Sequence, residues 1–475
     1  MKYFIRILAL LFILLGSCSK SDNPKPEGDG QLTVFFVNDV HGQLDNFEKV
    51  KHIIDQERQI SNVIVVSSGD VFSGNPVVDN AAEKGAPMVD VMNRIGFDLA
   101  VLGNHEFDYG TDVLRDRFEQ ATFDWICANV EKGTTNLPQP KSYTTVSLGG
   151  MKITFLGLVE TNGKRFGTIP SAHPWKMEGL IFTRPENIID NFTSLKSSES
   201  ADLLIVLSHL GFSGNDEILG DAQLAQNYGW IDLIIGGHSH QEINEVVDGT
   251  PVFQAGSYLH KLGKINLTIE NRRIVNHSFE LIDLDHYQQK DEDLMAVIDE
   301  YNNLPYLNDV IGNSLSALNK SEIGCFYCDA LRSVMNTDIA FQNTGGVRAA
   351  LDAGEITKRE IFEISPFNNG TVIYEMTVGE IKHFLKDSGS GFYYSGVSIT
   401  KSGSDVVIRD QNNSTIPDDY VLTIGINDYI PAVHELYFPS EGNRQLLTAA
   451  ETLIYYLENI NSTIDYQGSS CYFRY

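Results

Sequence analysis

Five short apolar runs in the first half of the chain each stop at residues able to bind a metal ion, and no other feature constrains the fold as tightly. The runs Leu32 to Val37, Val63 to Val66, Leu99 to Leu102, Leu203 to Leu207 and Leu233 to Ile235 have the length and composition of buried strands. They break off into Asn38-Asp39-Val40-His41, Ser67-Ser68-Gly69-Asp70, Gly103-Asn104-His105-Glu106, Ser208-His209 and Gly236-Gly237-His238-Ser239-His240. Amphipathic stretches between them predict an α/β layer architecture, in which ligands gather outside the carboxyl ends of the strands. Side chains distant in sequence can then converge on one crevice.

As ligands, Asp39, His41, Asp70, Asn104, His209, His238 and His240 offer carboxylate, amide and imidazole donors suited to divalent Zn, Mn or Fe. Seven donors exceed what one tetrahedral ion needs, and with Asp70 shared they divide into two sets of four. Two ions held about 3.5 to 4 Å apart form a clamp for phosphoester cleavage. The rest of the surface makes such a centre necessary for a phosphate substrate. A formal charge of -28, from 35 basic and 63 acidic residues, favours solubility, repels a polyanion and excludes duplex nucleic acid as a partner. Bound ions would supply the missing local positive charge.

The ordered set D-x-H, G-D, G-N-H-E, S-H and G-H-S-H resembles that of the calcineurin-like metallophosphoesterases. In particular it is similar to the bacterial 5'-nucleotidase/UDP-sugar hydrolase family with its added C-terminal domain, over roughly residues 31–475. The resemblance implies a four-layer metallophosphoesterase fold, a β-sandwich flanked by helices, plus a smaller α/β C-terminal domain that holds the nucleoside. It implies one metal set of Asp39, His41, Asp70 and His240 and another of Asp70, Asn104, His209 and His238, with Asp70 as the bridge. Some family members carry glutamine where His240 stands. It further implies that His105 and Asp108 are the catalytic pair. Their spacing puts them on one face of a helical turn, where Asp108 favours the cationic imidazole that stabilises charge on a transferring phosphoryl group.

Beyond the catalytic domain, Asn343 and Arg348 match the family's substrate loop, and Arg348 suits a bidentate phosphate grip. Phe367 matches one of the two aromatic residues that sandwich the base, and Tyr429 stands near the other. Two departures concern the substrate. The family's Gly-Gly-Asp-Gly loop is replaced by Ile430-Pro431-Ala432-Val433-His434-Glu435, and Ser314 to Glu322 holds only Lys320 where the family has arginines. Weak discrimination among bases is the expected consequence.

A chain of 475 residues exceeds what one hydrophobic core accommodates, so two domains are expected. The polar stretch His286 to Asp293 marks their boundary. The expected organisation is a signal peptide at 1–17, a lipid-anchored tether at 18–30, a catalytic domain at 31–285, a linker helix at 286–310 and a substrate domain at 311–475. The signal peptide rests on Lys2 and Arg6 followed by a short apolar run. Leu15-Gly16-Ser17-Cys18 resembles the bacterial lipobox, whose cysteine is lipidated, and the Pro/Gly-containing stretch after it reads as a tether. An exported monomeric lipoprotein follows, on the periplasmic or cell-surface side of the outer membrane, touching the membrane through Cys18 alone. Cys127, Cys325, Cys328 and Cys471 leave open a local disulfide, a link to Cys471, or buried thiols.

The expected activity is two-metal hydrolysis of nucleotide phosphate monoesters to nucleoside and phosphate. A 2',3'-cyclic phosphodiesterase/3'-nucleotidase and a UDP-sugar hydrolase are the alternatives. A surface-binding lipoprotein on an inactive phosphatase scaffold should have lost ligands, and all seven are present.

Overall fold

The computed structural model describes residues 28–163, 167–214, 218–438 and 442–475. The signal peptide, Cys18 and most of the tether lie outside the described residues. The five apolar runs that end in ligand-type residues are all strands. Gly30–Val37, Val63–Ser67, Leu99–Val101 and Asp124–Ile126 run parallel in a 6-stranded sheet whose other edge is the antiparallel hairpin Lys261–Glu270 and Arg273–Asp283. Met151–Val159, Leu203–His209, Leu233–Ile235 and Thr250–Ala255 run parallel in a second 6-stranded sheet, with Tyr143–Leu148 and Glu242–Val247 at its edges.

Strand alternation explains why the sheets stack. Leu32, Val34 and Phe36 enter the core between the sheets, where they meet Phe155, Ile205 and Ile235. Phe35 and Val37 face the other way, toward helices Phe47–Arg58 and Ala86–Ile95. On the second sheet, Leu204 and Val206 likewise face away from the sandwich, toward Ile189, Leu195 and Leu224. Both sheets are thus covered on both faces, which a near-continuous apolar strand requires. The result is the four-layer arrangement of two sheets between helices. Each fully buried aliphatic or aromatic side chain contributes about 1.5 to 3 kcal/mol toward it.

Helix Glu292–Asn302 begins within the polar stretch at 286–293 and is capped by Asp291, whose side chain accepts from the Leu294 N–H. Leu294 and Ile298 pack into the helix layer of the first sheet, and Tyr301 donates to Asp90 at 3.0 Å. Beyond it, strands Asn443–Thr448, Gly370–Thr377, Val421–Asn427, Ile339–Asn343, Gly391–Ser395 and Tyr472–Arg474 form a mixed 6-stranded sheet, in that order. Helix Lys320–Met335, closed at its start by a capping box between Asn319 and Glu322, packs against this sheet and carries Cys325. Cys325 is disulfide-bonded to Cys471, while Cys127 and Cys328 are free and buried. Among the described residues no helix is long and apolar enough to cross a membrane.

Candidate active site

The seven candidate ligands lie at or just beyond the carboxyl ends of the parallel strands, and most of their backbones are strained. Asp39, His41, Asp70, His238 and His240 all adopt positive φ, between 51° and 72°, at a cost of roughly 1 to 3 kcal/mol each for a non-glycine residue. The surroundings hold them there. Asn38 donates to Asp39 Oδ2 at 2.8 Å, and the His238 N–H donates to both Asp39 oxygens at 3.0 and 2.9 Å. The His105 N–H donates to Asp70 Oδ1 at 2.8 Å. Glu106, fully buried, accepts from the N–H groups of Asp70, Val71 and Gly103 at 2.9, 2.7 and 2.5 Å. Only glycine fits at 103, where an added Cβ would lie 2.3 Å from Asp70 Oδ1.

The ligand-type atoms form overlapping groups. Those of Asp39, His41 and His240 lie within 4.8 Å of one another, as do those of Asp70, His209 and His238, and those of His41, Asp70 and His105. Asn104 joins the second group, with Oδ1 3.0 Å from His238 Nδ1.

Nitrogen chemistry tests whether these groups fit metal ions. The Nδ1 atoms of His41 and His209 lie 3.0 and 2.7 Å from the carbonyls of Ser73 and Ser68, which can only accept, so each Nδ1 carries the hydrogen. Each Nε2 is then a free lone pair, the usual arrangement for a metal-binding histidine. His41 Nε2 is 2.9 Å from His240 Nε2. His209 Nε2 is buried without a hydrogen-bond partner, yet sits 3.0 Å from Asp70 Oδ2 and 3.8 Å from Asp39 Oδ1. A lone pair held against two carboxylates needs a cation between them. The donor set fits divalent ions.

Without metal, a proton stands in. Burial pulls the His209 imidazole down, but Asp70 and Asp39 outweigh it and push its pKa up to about 10. Burial pushes the carboxyls of Asp39 and Glu106 up to about 7. It would raise Asp70 too, but His209 and His105 hold that carboxyl well below its usual range. Burial leaves His41, His238 and His240 below their ordinary value, His240 at about 4, so these three are neutral donors.

The turn after Asn104 is the one-turn helix His105–Phe107, which brings His105 Nδ1 to 2.6 Å from Asp108 Oδ2. Burial lowers the imidazole, but Asp108 and Asp70 outweigh it, so its pKa is raised. His105 and Asp108 open onto a cavity of about 240 Å³ that also meets Asp70, Asn104, His238 and His240. The opposite wall is the C-terminal domain: Asn343, Arg348, Phe367 and Tyr429 all line it. Phe367 stacks on His105, and the Arg348 guanidinium lies 5.5 Å from the Phe367 ring centre. Asn343 Oδ1 accepts from Asn427 at 3.0 Å. Tyr429 meets His173 edge to face, 5.9 Å between centroids.

Several residues here were not anticipated from sequence. His173 and Lys176 reach across the domain boundary, His173 Nε2 to Asp428 Oδ1 at 3.1 Å and Lys176 Nζ to the Phe367 carbonyl at 2.8 Å. The stretch that replaces the Gly-Gly-Asp-Gly loop begins within a short helix, Tyr429–Val433, directly after Asp428. Glu106 carried a sequence signal, its place in Gly103-Asn104-His105-Glu106, but nothing there revealed that it binds backbone.

The calcineurin-like phosphoesterase family profile matches residues 32–242, and the 5'-nucleotidase C-terminal domain profile matches 305–431. The chain is 24% identical over 465 residues to endonuclease YhcR of Bacillus subtilis, covering 86% of this chain but only 38% of that protein's length. It is 24% identical over 470 residues to a 5'-nucleotidase of Vibrio cholerae, covering 82% of this chain and 83% of the relative. Its fold is shared with the crystal structure of a 5'-nucleotidase precursor from Thermus thermophilus, at a TM-score of 0.79 and 20% identity over 92% of this chain and 97% of that one. The chain belongs to the calcineurin-like phosphoesterases that carry a 5'-nucleotidase C-terminal domain.

Proposed function

We propose that the protein is a two-metal phosphomonoesterase of the 5'-nucleotidase type that releases nucleoside and phosphate from nucleotides. The observation that carries this reading is the pair of ligand groups around Asp70, open to the same cavity as His105 and Arg348. One group with Asp70 added is Asp39, His41, Asp70 and His240; the other with Asn104 added is Asp70, Asn104, His209 and His238. Bound divalent ions, Zn, Mn or Fe, supply Lewis acidity and a water nucleophile that is ionised near neutral pH.

The chain's own residues do the rest. Asp108 holds Nδ1 of His105, so that Nε2–H of the cation is presented to a phosphoryl oxygen, where it stabilises the charge that develops in the transition state. Arg348 grips the phosphate from the opposite wall, and Asn343, fixed by Asn427, contacts the substrate beside it. Phe367 and Tyr429 supply the aromatic surfaces against which the nucleoside rests. The wall of the second domain excludes water from one side of the cavity.

In the cell the protein acts as an exported lipoprotein, held through Cys18 on the periplasmic or surface side of the outer membrane, as a monomer. The apolar run at the N-terminus and the Leu15-Gly16-Ser17-Cys18 sequence support this reading.

Phosphate release from 5'-, 3'- and 2',3'-cyclic nucleotides, sugar nucleotides and aryl phosphates, with Mn or Zn added and with chelator, tests the activity. Preferred release from 5'-nucleotides, abolished by chelator, is expected. Preference for cyclic or 3'-nucleotides, or for sugar nucleotides, would reassign the substrate. No metal-dependent hydrolysis of any ester would overturn the reading.

A further inference from the structure

We propose that Asp79 and Tyr109 are positioning residues that hold one peptide unit, and through it His41, in the orientation that metal binding needs. This rests on the two-metal reading above. The peptide joining Ser73 to Gly74 is gripped at both ends. Its carbonyl accepts from His41 Nδ1 at 3.0 Å, and its N–H donates to Asp79 Oδ2 at 3.0 Å. A peptide unit is planar, so fixing the direction of the N–H fixes that of the carbonyl. The carbonyl in turn decides which imidazole nitrogen carries hydrogen and which way the ring faces. Asp79 thereby sets the lone pair on His41 Nε2 from two bonds away.

Tyr109 completes the brace. Its hydroxyl donates to Asp79 Oδ1 and accepts from the Ser73 N–H at 3.2 Å, so the backbone is held on both sides of Ser73. Asp79 is 2% exposed and ends the short helix Pro76–Asp79, with Asn75 capping the other end through the Val77 N–H. The backbone needs such support, because Ser73 has φ 59° and Gly74 φ 149°. Gly74 also leaves no slack, since a Cβ there would lie 2.7 Å from the His41 carbonyl oxygen. Tyr109 directly follows Asp108, the partner of His105, so the same brace spans the turn of the catalytic pair and the loop beneath a metal-binding histidine.

Groups that orient a metal ligand through its second nitrogen typically cost roughly 10- to 100-fold in metal affinity when removed. Manganese titration calorimetry on chelator-stripped protein, with melting followed by circular dichroism, tests the proposal in the wild type, Tyr109→Phe and Asp79→Ala, which removes both oxygens of the brace. The wild type should bind two ions. Each variant should weaken one site by roughly 10- to 100-fold and leave the other unchanged, and excess manganese should restore turnover. A selective loss cannot come from general loosening, which would weaken both sites as the melting temperature falls. Unchanged affinity at both sites, or parallel loss at both, overturns the proposal. Fewer than two ions in the wild type would instead remove the two-metal reading beneath it.

Discussion

The His105 imidazole and the Phe367 ring stack face to face, 5.3 Å between centroids and 7° between planes, although each comes from a different domain. Asp108 favours the imidazolium, so a cation rests on the negative face of an aromatic ring. Arg348 brings a second cation to the same ring. Phe367 thus joins the C-terminal domain to the turn that carries His105 and Asp108, in addition to the surface it offers a base in the proposed function.

This dual role changes what truncation should do. Stacking a base is worth about 1 to 3 kcal/mol, so Phe367→Ala should lower kcat/KM for a nucleotide by roughly ten- to a hundredfold. An aryl phosphate that leaves the base pocket empty should lose less, but it should lose some activity, because His105 loses its support. Steady-state kinetics on both substrates decide it. An unaffected aryl phosphate would show that the stack does not serve the chemistry, and equal losses would show that Phe367 contacts no base.

For His105 the expected signature lies in kcat. His105→Asn should reduce kcat and kcat/KM together by about 2.7 to 4 kcal/mol, with metal content intact. In the proposed mechanism the cation is the working form, so activity should be retained at low pH and fall as pH rises through the raised imidazole pKa. Asp108→Asn removes the main raising influence and should shift that falling limb to lower pH. A change confined to KM, or a limb that stays in place, would remove the assigned role.

The sequence carried the strand ends clearly, because the apolar runs and the donors after them are contiguous. Asp39 and Asp70 could be placed together without knowing the sheet order, since parallel strands of one sheet deliver their carboxyl ends to one side; His209 reaches them from the second sheet, whose stacking no local pattern specifies. Contacts between domains left no local trace. His173 and Asp428 are 255 residues apart, and Lys176 and Phe367 are 191 apart. Neither His173 nor Lys176 sits in a motif, and a lysine before a methionine carries no hint that it will hold a backbone carbonyl. The cysteines were ambiguous for a related reason. Cys325 and Cys328 look like a local pair, but the helix turns Cys325 toward a residue 146 positions away.

That disulfide ties helix Lys320–Met335 to the segment before the edge strand Tyr472–Arg474, which pairs with Gly391–Ser395. Closing a loop of this length stabilises by about 5 kcal/mol in the chain-entropy model, and losses of about 2 to 5 kcal/mol are typical when a native disulfide is removed from a small domain. Cys471→Ser should lower the stability of the C-terminal domain by an amount in that range and leave metal binding in the first domain intact. Thermal melting with and without reductant, alongside metal titration, measures both. A reductant-insensitive melting curve in the wild type would mean that the bond contributes nothing.

The last expectation concerns a buried carboxylate beneath the metal centre. Asp221 is fully buried; Ser208 donates to its Oδ1, and Gln254 donates to its Oδ2 at 2.7 Å. Burial pushes its pKa up to about 7, even though those two hydrogen bonds act in the opposite sense. In the unfolded chain the group titrates near its ordinary value of 3.8. Between these values the folded protein keeps a proton that the unfolded chain has released, so unfolding free energy falls as pH rises. The slope within the window is roughly 1.4 kcal/mol per pH unit, and the loss is complete above about pH 7. Asp221→Asn removes this titration. Its carboxamide can keep both contacts, with the oxygen toward Gln254 and the nitrogen toward Ser208. The variant should therefore gain on the wild type steadily from about pH 4 to about pH 7 and hold a constant margin beyond. All three tryptophans, Trp125, Trp175 and Trp230, lie within the segment 32–242 that the calcineurin-like phosphoesterase profile matches, so their fluorescence follows its unfolding in urea. Chelator-treated samples of both proteins keep metal binding from masking the effect. A stability difference that does not change with pH would show that Asp221 is ionised in the folded protein throughout this range.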